Sequence, residues 1–442
     1  RLSASKIGAW KSCPRQYWMQ YHQKIREPLP SVIVRGNAVE SCVSRVLRES
    51  PALISAQSPD RILVSPLDEK GDLIEGEDGW IGPSLEKIPE NERPTDLDSL
   101  SRWAHSRIDA HVERCTNDAL MQWLLSPHRI GDENDLNRAE IVEMAHRGMD
   151  LHLEEVKICH SNLEKEELQK WRKGGQRDTF PAPDGFSNSG EHVPPEVSTG
   201  SMTWSEAWAI ARPWFVDPDA PSFSMQTIHP EQWFQGEYDL VYRWNGKIRI
   251  IDLKASIGNN DRSRLYSEQL RLYSWLWWET HDREDIVEGL EIWYLGPGKR
   301  KIVDAPDENE LILISKEMEE IYQILGNVKS EDDAPLNPSL VYYFEEGGVQ
   351  IGTAEDPIER CKTCPYVALC PQGGHDASLP NNKTAQVKGR DLLLTPVVDV
   401  VTRVDLEGEI FTVPREPKLQ DGGVIFQFEL RQGLDNVTVK NA

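Results

Sequence analysis

The sequence predicts an α/β protein: a mixed central sheet flanked by helices, with a helical insertion and a small C-terminal β module. Three observations carry this reading. The stretch 235–256, QGEYDLVYRWNGKIRIIDLKAS, is rich in Val, Ile, Tyr and Trp on both sides of Asn245-Gly246. That dipeptide suits a type I′ hairpin turn, because both central residues must adopt positive φ. Apolar residues at helical spacing recur in 32–49, 97–125, 136–173, 261–280 and 308–325. Beyond residue 391 short apolar runs follow one another as strands do.

Taken in order, residues 1–27 open with Ser3 or Ser5 as a helix N-cap, then an aromatic-rich segment that Pro14 interrupts. In 32–49, Val39, Val43, Val46 and Leu47 lie at helical spacing and predict a core-facing helix. Gly36 and Glu40 sit one turn apart on it. Residues 51–95 are rich in Pro, Gly, Asp and Glu and read as loops. Helices are expected over 97–125 and 136–173, the second studded with charge. The stretch 174–200 reads as a flexible linker, after which Trp204 and Trp208 share one face of a short helix ending before Pro213. Past the hairpin, 261–280 predicts a helix with Leu265, Leu272, Trp275 and Leu276 toward the core, and Gln269 and Tyr273 on one face. Arg262, Arg264 and Arg271 of this segment are candidate phosphate contacts. A buried strand is expected at 290–295 and a helix at 308–325.

These elements group into an N-terminal portion of a core domain (1–50), a largely helical and irregular acidic insertion (51–200, its linker at 174–200) and the main core with a cysteine cluster (201–375). A linker (376–390) and a small β module (391–442), OB-like or incomplete, follow. No repeat or P-loop is present. No apolar run approaches the ~20 residues that span a bilayer, so no membrane role is expected and the cytoplasm is the expected compartment. The net charge is −24, yet residues 1–50 hold nine Lys or Arg against three Glu, a local +6 that leaves −30 for the rest. A local basic channel in an acidic shell fits this asymmetry, as does the acidic surface of a salt-adapted protein.

The hairpin carries charge where it should carry apolar residues. With Asn245 and Gly246 as the loop, Val241 faces Ile250, Leu240 faces Ile251, Asp239 faces Asp252, and Glu237 faces Lys254. Opposed carboxylates repel at a Cβ separation of roughly 5 Å. Both faces of the hairpin also hold apolar residues, so the pair is expected to be covered. Mg²⁺ or Mn²⁺ is the natural neutraliser, since hard cations take one or two carboxylates and keep waters that phosphate oxygens displace. Lys254 shares the face of Asp252 and is placed to orient a metal-bound water. The plainer reading is a charged, exposed edge hairpin.

Seven cysteines, an odd number, argue against a disulfide scaffold. Cys361, Cys364 and Cys370 lie at metal-ligand spacing but supply one thiolate too few for an iron-sulfur or structural zinc site. Cys13 is the candidate fourth, followed by Pro as Cys364 and Cys370 are. Cys42, Cys115 and Cys159 fall in predicted helices and read as buried thiols.

In content and order these pieces resemble the iron-sulfur branch of the RecB-like PD-(D/E)XK nucleases, typified by the CRISPR-associated RecB-like exonucleases and the AddB nuclease domain. The matching run is Cys13-Pro14-Arg15 with Tyr17, the Gly36 helix, Gly236 to Asp239, Asp252 to Lys254, Gln269 to Tyr273, then Cys361, Cys364 and Cys370. It covers residues 1 to about 375. Where that family usually places a His four residues after the helix glycine, this chain has Glu40. The resemblance implies a restriction-endonuclease-like core, with Glu40, Asp239 and Asp252 as metal ligands. It also implies Lys254 as the water- or phosphate-orienting base, and Gln269 with Tyr273 positioning substrate. The four cysteines would bind a 4Fe-4S cluster that maintains the fold, zinc being the other metal such a set takes. The implied activity is a DNA exonuclease on single-stranded ends in repair, recombination or CRISPR adaptation. Its expected partners are a helicase, a single-strand-binding protein or CRISPR adaptation proteins. The alternative is a non-catalytic DNA-binding subunit of a helicase-nuclease or repair complex.

Overall fold

The structure is a computed structural model and describes residues 1–27, 29–55, 85–126, 129–173, 200–215, 217, 226–256, 263–337, 340–345, 348–353, 364–366, 409–410, 428–432 and 435–439. The chain forms two compact units. The first comprises Arg1–Ala4, Arg35–Ala119 and Asn137–Tyr322; the second comprises Ser5–Val34, Leu120–Leu136 and Gln323–Ala442.

The first unit is built on a four-stranded sheet of β1 (Leu240–Trp244), β2 (Lys247–Lys254), β3 (Gly289–Tyr294) and β4 (Lys299–Val303), ordered β4-β3-β2-β1. Asn245 and Gly246 adopt φ of 54° and 66°, as the type I′ turn requires. The turn sets the register, so Trp244 pairs with Lys247, Val241 with Ile250, and Leu240 with Ile251. Strands β2 and β3 run parallel, with Asp252 beside Ile292 and Lys254 beside Tyr294. A parallel pair needs a crossover, and the helix Ser263–Thr280 lies in it.

The helices, in chain order, are α1 (Ala4–Ser12), α2 (Pro14–Tyr17), α3 (Val32–Arg48), α4 (Leu97–Leu125), α5 (Arg138–Asn162), α6 (Lys165–Arg172), α7 (Trp204–Ala211), α8 (Ser263–Thr280) and α9 (Glu308–Asn327). Helix α8 covers one face of the sheet and α5 with α7 the other. On one, Val241, Ile248, Ile250, Leu290 and Ile292 pack with Leu270, Tyr273 and Trp277 of α8. On the other, the Tyr242 hydroxyl lies 2.8 Å from His152 Nδ1 of α5, and the His152 ring meets Trp208 of α7 edge-on. Glu155 of α5 is fully buried there, where it pairs with Arg249 and accepts a 2.9 Å hydrogen bond from Trp244 Nε1. This burial on both faces sets aside the exposed-edge reading of the hairpin and agrees with a restriction-endonuclease-like arrangement.

Several expectations are corrected. The helix expected over 136–173 is two helices, because Leu163 and Glu164 are extended. The turn residue Asn245 enters this break: its Nδ2 donates to Asn162 O at 3.0 Å, and its Oδ1 accepts from Glu164 N at 3.1 Å. Leu265, expected in the core, is 55% exposed, while Leu272, Trp275 and Leu276 are buried. The hairpin ladder stops at Leu240, and Gln235–Gly236 pairs instead with Thr227–Ile228. Glu237 therefore has no ladder position opposite Lys254. The edge strand β4 was not expected from KRKIV, although Lys and Arg are common on edges because they deter further pairing.

In the second unit Arg15 donates to Ala334 O at 2.9 Å and pairs with Glu331. Tyr366 Oη donates to Ile25 O at 3.0 Å. The unit also holds a hairpin of Leu340–Glu345 with Gly348–Thr353 and a three-stranded sheet of Glu409–Ile410, Phe428–Gln432 and Asp435–Val439. The linkers expected at 174–200 and 376–390 lie almost wholly or wholly outside the described residues, as do Arg262 and most of the β module expected at 391–442.

Candidate active site

Asp252 and Lys254 alternate on β2 and so lie on one side of it, the side that faces α8. Asp252 is 1% exposed. Lys254 Nζ lies 2.8 Å from its Oδ1 and 2.7 Å from its Oδ2. The ammonium thus touches both carboxylate oxygens, and Oδ2 accepts no directed hydrogen bond. Asp239 sits just before β1, outside the ladder, where its Oδ2 accepts from Leu253 N at 2.7 Å. The short chain before β1 thus brings Asp239 to Asp252 through a backbone hydrogen bond and not through a further ladder pair.

Glu40 arrives from α3. Desolvation and the charge of Asp239 push its pKa up to about 7, with Lys254 opposing and Glu237 adding to the rise. Burial, then Asp239, pushes Asp252 up to about 7 as well, against the pull of Lys254. Burial likewise raises Asp239. For Lys254 burial disfavours the charge, yet Asp252 and Asp239 outweigh it and hold the ammonium above the ordinary lysine value. The group is short of positive charge: Lys254 faces several carboxylates that each bind protons too tightly.

Helix α8 closes the site. Gln269 Nε2 donates to Tyr273 Oη at 2.9 Å, and burial pushes the Tyr273 pKa up to about 12, so the phenol keeps its proton as a donor. Gly236 explains the close fit of this helix: a Cβ there would stand 2.9 Å from Tyr273 Cε1 and 3.1 Å from Leu276 Cδ2. One neighbour was missed in the sequence. The Tyr266 ring lies under Lys254 Nζ at 4.8 Å, and its signal was its place three residues before Gln269 on the same helix.

The structure thus gathers Glu40, Asp239, Asp252, Lys254, Gln269 and Tyr273 within the first unit. Among the described residues no three His, Cys, Asp or Glu side chains converge as they stand on one metal position. The donor set nevertheless fits a hard divalent cation: all oxygen, mutually repelling, proton-greedy, and with one buried carboxylate oxygen that accepts no directed hydrogen bond. Glu40, Asp239 and Asp252 would hold it. Cys13 and Cys364 belong to the second unit and are partly buried, while Cys361 and Cys370 lie outside the described residues. Cys42, Cys115 and Cys159 are buried, as expected. No helix among the described residues is long and apolar enough to cross a membrane.

No curated protein matches the chain. Residues 125–371, more than half of its length, match the PD-(D/E)XK nuclease superfamily. Nucleases of this superfamily act on nucleic acid and use Mg²⁺ or Mn²⁺. With Asp239, Asp252, Lys254, Gln269 and Tyr273 all inside the matched span, the chain belongs to the PD-(D/E)XK nuclease superfamily.

Proposed function

We propose that this nuclease is a DNA exonuclease acting on single-stranded ends, in repair, recombination or CRISPR adaptation. The observation that carries the catalytic part is the buried Asp252–Lys254 pair, set beside Asp239 and Glu40 and faced by the Gln269–Tyr273 pair. A bound Mg²⁺ or Mn²⁺ supplies a water of lowered pKa and charge stabilisation at the phosphate. Glu40, Asp239 and Asp252 provide the anionic oxygens. Lys254 orients the attacking water or a phosphate oxygen through its ammonium. Tyr273, with its hydroxyl already accepting from Gln269, donates a hydrogen bond to a phosphate oxygen and so fixes the scissile group.

The preference for single-stranded ends rests on the resemblance to RecB-like exonucleases, with Trp10 and Tyr21 as partly exposed aromatics on which unpaired bases stack. A helicase or single-strand-binding partner in the cytoplasm belongs to the same reading. So does a 4Fe-4S cluster on Cys13, Cys361, Cys364 and Cys370. It is supported by contacts beside the cysteines: Asn337 Nδ2 donates to Ser12 O at 3.3 Å, Arg15 holds Ala334 O and Glu331, and Tyr366 holds Ile25 O.

A second reading, a non-catalytic DNA-binding subunit, is favoured by Glu40 in the place of the usual His and by the absence of a converged donor set among the described residues. Digestion of end-labelled single-stranded DNA with Mn²⁺ or Mg²⁺ separates the two. The exonuclease releases mononucleotides or short products from the end, and Asp252→Ala abolishes release. Lys254→Ala slows it by roughly 10²–10⁴-fold. DNA binding without cleavage in either metal sinks the enzyme and leaves the subunit.

A further inference from the structure

The geometry points to Tyr266 as a positioning residue that keeps the Lys254 ammonium in the active site when the charge of Asp252 is taken up by the divalent cation; this rests on the reading of Lys254 as the group that orients the attacking water. A lysine side chain has four rotatable bonds and carries about 2 kcal/mol of rotamer entropy, so an orienting ammonium needs a holder. In the structure Asp252 is one holder, with both carboxylate oxygens within 2.8 Å of Nζ. Asp252 is also a proposed metal ligand. A carboxylate shared with a dication attracts a neighbouring ammonium less, so the site would loosen its base on loading its metal.

Tyr266 is a holder that the metal does not engage. Its ring centroid lies 4.8 Å from Lys254 Nζ, within cation–π reach. The ring is fixed from behind: Tyr266 packs against the core cluster of Leu270, Tyr273 and Trp277, and lies 6.5 Å from the ring of Tyr294. Tyr294 is itself the β3 partner of Lys254 across the parallel ladder. Tyr266, Gln269 and Tyr273 recur at helical spacing along α8, so one helix face contributes the lysine clamp and the substrate-positioning pair together. Lys254 is 20% exposed, so its ammonium is partly desolvated, the condition under which a π-face contributes most.

The test compares Tyr266→Phe, which keeps the ring, with Tyr266→Leu, which keeps apolar volume only. Two readouts are taken in Mg²⁺: single-turnover cleavage, and the ¹³Cε–Hε NMR signal of Lys254, assigned with Lys254→Arg. In the wild type that signal carries an upfield ring-current shift that persists when Mg²⁺ is added. Tyr266→Phe keeps both the shift and the cleavage rate. Tyr266→Leu loses the shift and cleaves about ten-fold more slowly at saturating DNA, with KM and melting temperature unchanged. Loss of the wild-type shift on adding Mg²⁺ overturns the proposal, as does full-rate cleavage by Tyr266→Leu or equal slowing by Tyr266→Phe. If the wild-type protein cuts no DNA, the nuclease reading has failed by itself, and the NMR signal alone then decides whether Tyr266 holds Lys254.

Discussion

Glu40 and Asp252 show what the site lacks. Both pKa values are pushed up to about 7, by desolvation first and then by Asp239, so in metal-free protein each carboxyl keeps its proton to a higher pH than an ordinary carboxyl does. A carboxylate whose folded pKa exceeds its unfolded value contributes stability that is complete below about 4 and is lost as pH rises through about 7. A divalent cation reverses that loss and competes with the protons. The expected outcome is a larger Mg²⁺-induced rise in melting temperature at about pH 8 than at about pH 5.5. Asp252→Asn should flatten the difference, and an equal rise at both pH values in the wild type would remove Asp252 from the ligand set. At Gly236 the constraint is steric. Gly236→Ala puts a Cβ 2.9 Å from Tyr273, so about 1–3 kcal/mol of stability is lost and cleavage falls as the tyrosine shifts, both measurable by denaturant unfolding and digestion.

The elements behind the sheet explain why the hairpin stays rigid. Glu155 of α5 is fully buried, paired with Arg249 of β2 and hydrogen-bonded to Trp244 of β1. Removing one partner of such a buried pair leaves the other charge uncompensated. Glu155→Ala should therefore cost about 3–5 kcal/mol by chemical denaturation, although no part of it touches the site. His152, also on α5, is held neutral: burial first, then Arg300 and Arg212, lower its pKa from 6.5 to about 3. Its unfolded form binds a proton that the folded form refuses. Stability is thus lost as pH falls from about 6.5 toward about 3, by up to about 1.4 kcal/mol per pH unit. His152→Gln should shrink that acid limb; an unchanged limb would place the acid sensitivity elsewhere.

Over the whole molecule, charge and cysteine placement carry the predictions. The net charge of −24 is unevenly spread, with a local +6 in residues 1–50, so few DNA phosphates are expected to be neutralised. Affinity should then fall with salt less steeply than for a uniformly basic binder, because fewer phosphates are neutralised. In the second unit Arg15, Asn337 and Tyr366 tie residues 12–25 to residues 334–366. The proposed 4Fe-4S cluster predicts about four iron and four sulfide per chain in anaerobically purified protein. Cys13→Ser should lose them together with several degrees of melting temperature. Zinc without sulfide would replace the cluster by a structural zinc site, and unchanged metal in Cys13→Ser would remove that cysteine from the set.

The sequence by itself determined the hairpin, because Asn245-Gly246 dictates turn type and register through local φ alone, and the observed pairs follow from it. It also determined α3, α4, α8 and α9 to within two residues at each end, since apolar spacing reports which face a helix buries. Asp252 and Lys254 stood out in the sequence because charge on a covered strand needs a reason. The rest came from contacts between segments distant in sequence. The break at Leu163–Glu164 is made by Asn245, which is distant in sequence. Asp239 meets Asp252 by hydrogen-bonding Leu253 N and not by extending the ladder. Tyr266 becomes part of the site only where α8 crosses the end of β2. Local φ preference and periodicity are properties of a few neighbouring residues, whereas a break, a clamp or a carboxylate's proton affinity depends on groups that only folding brings near.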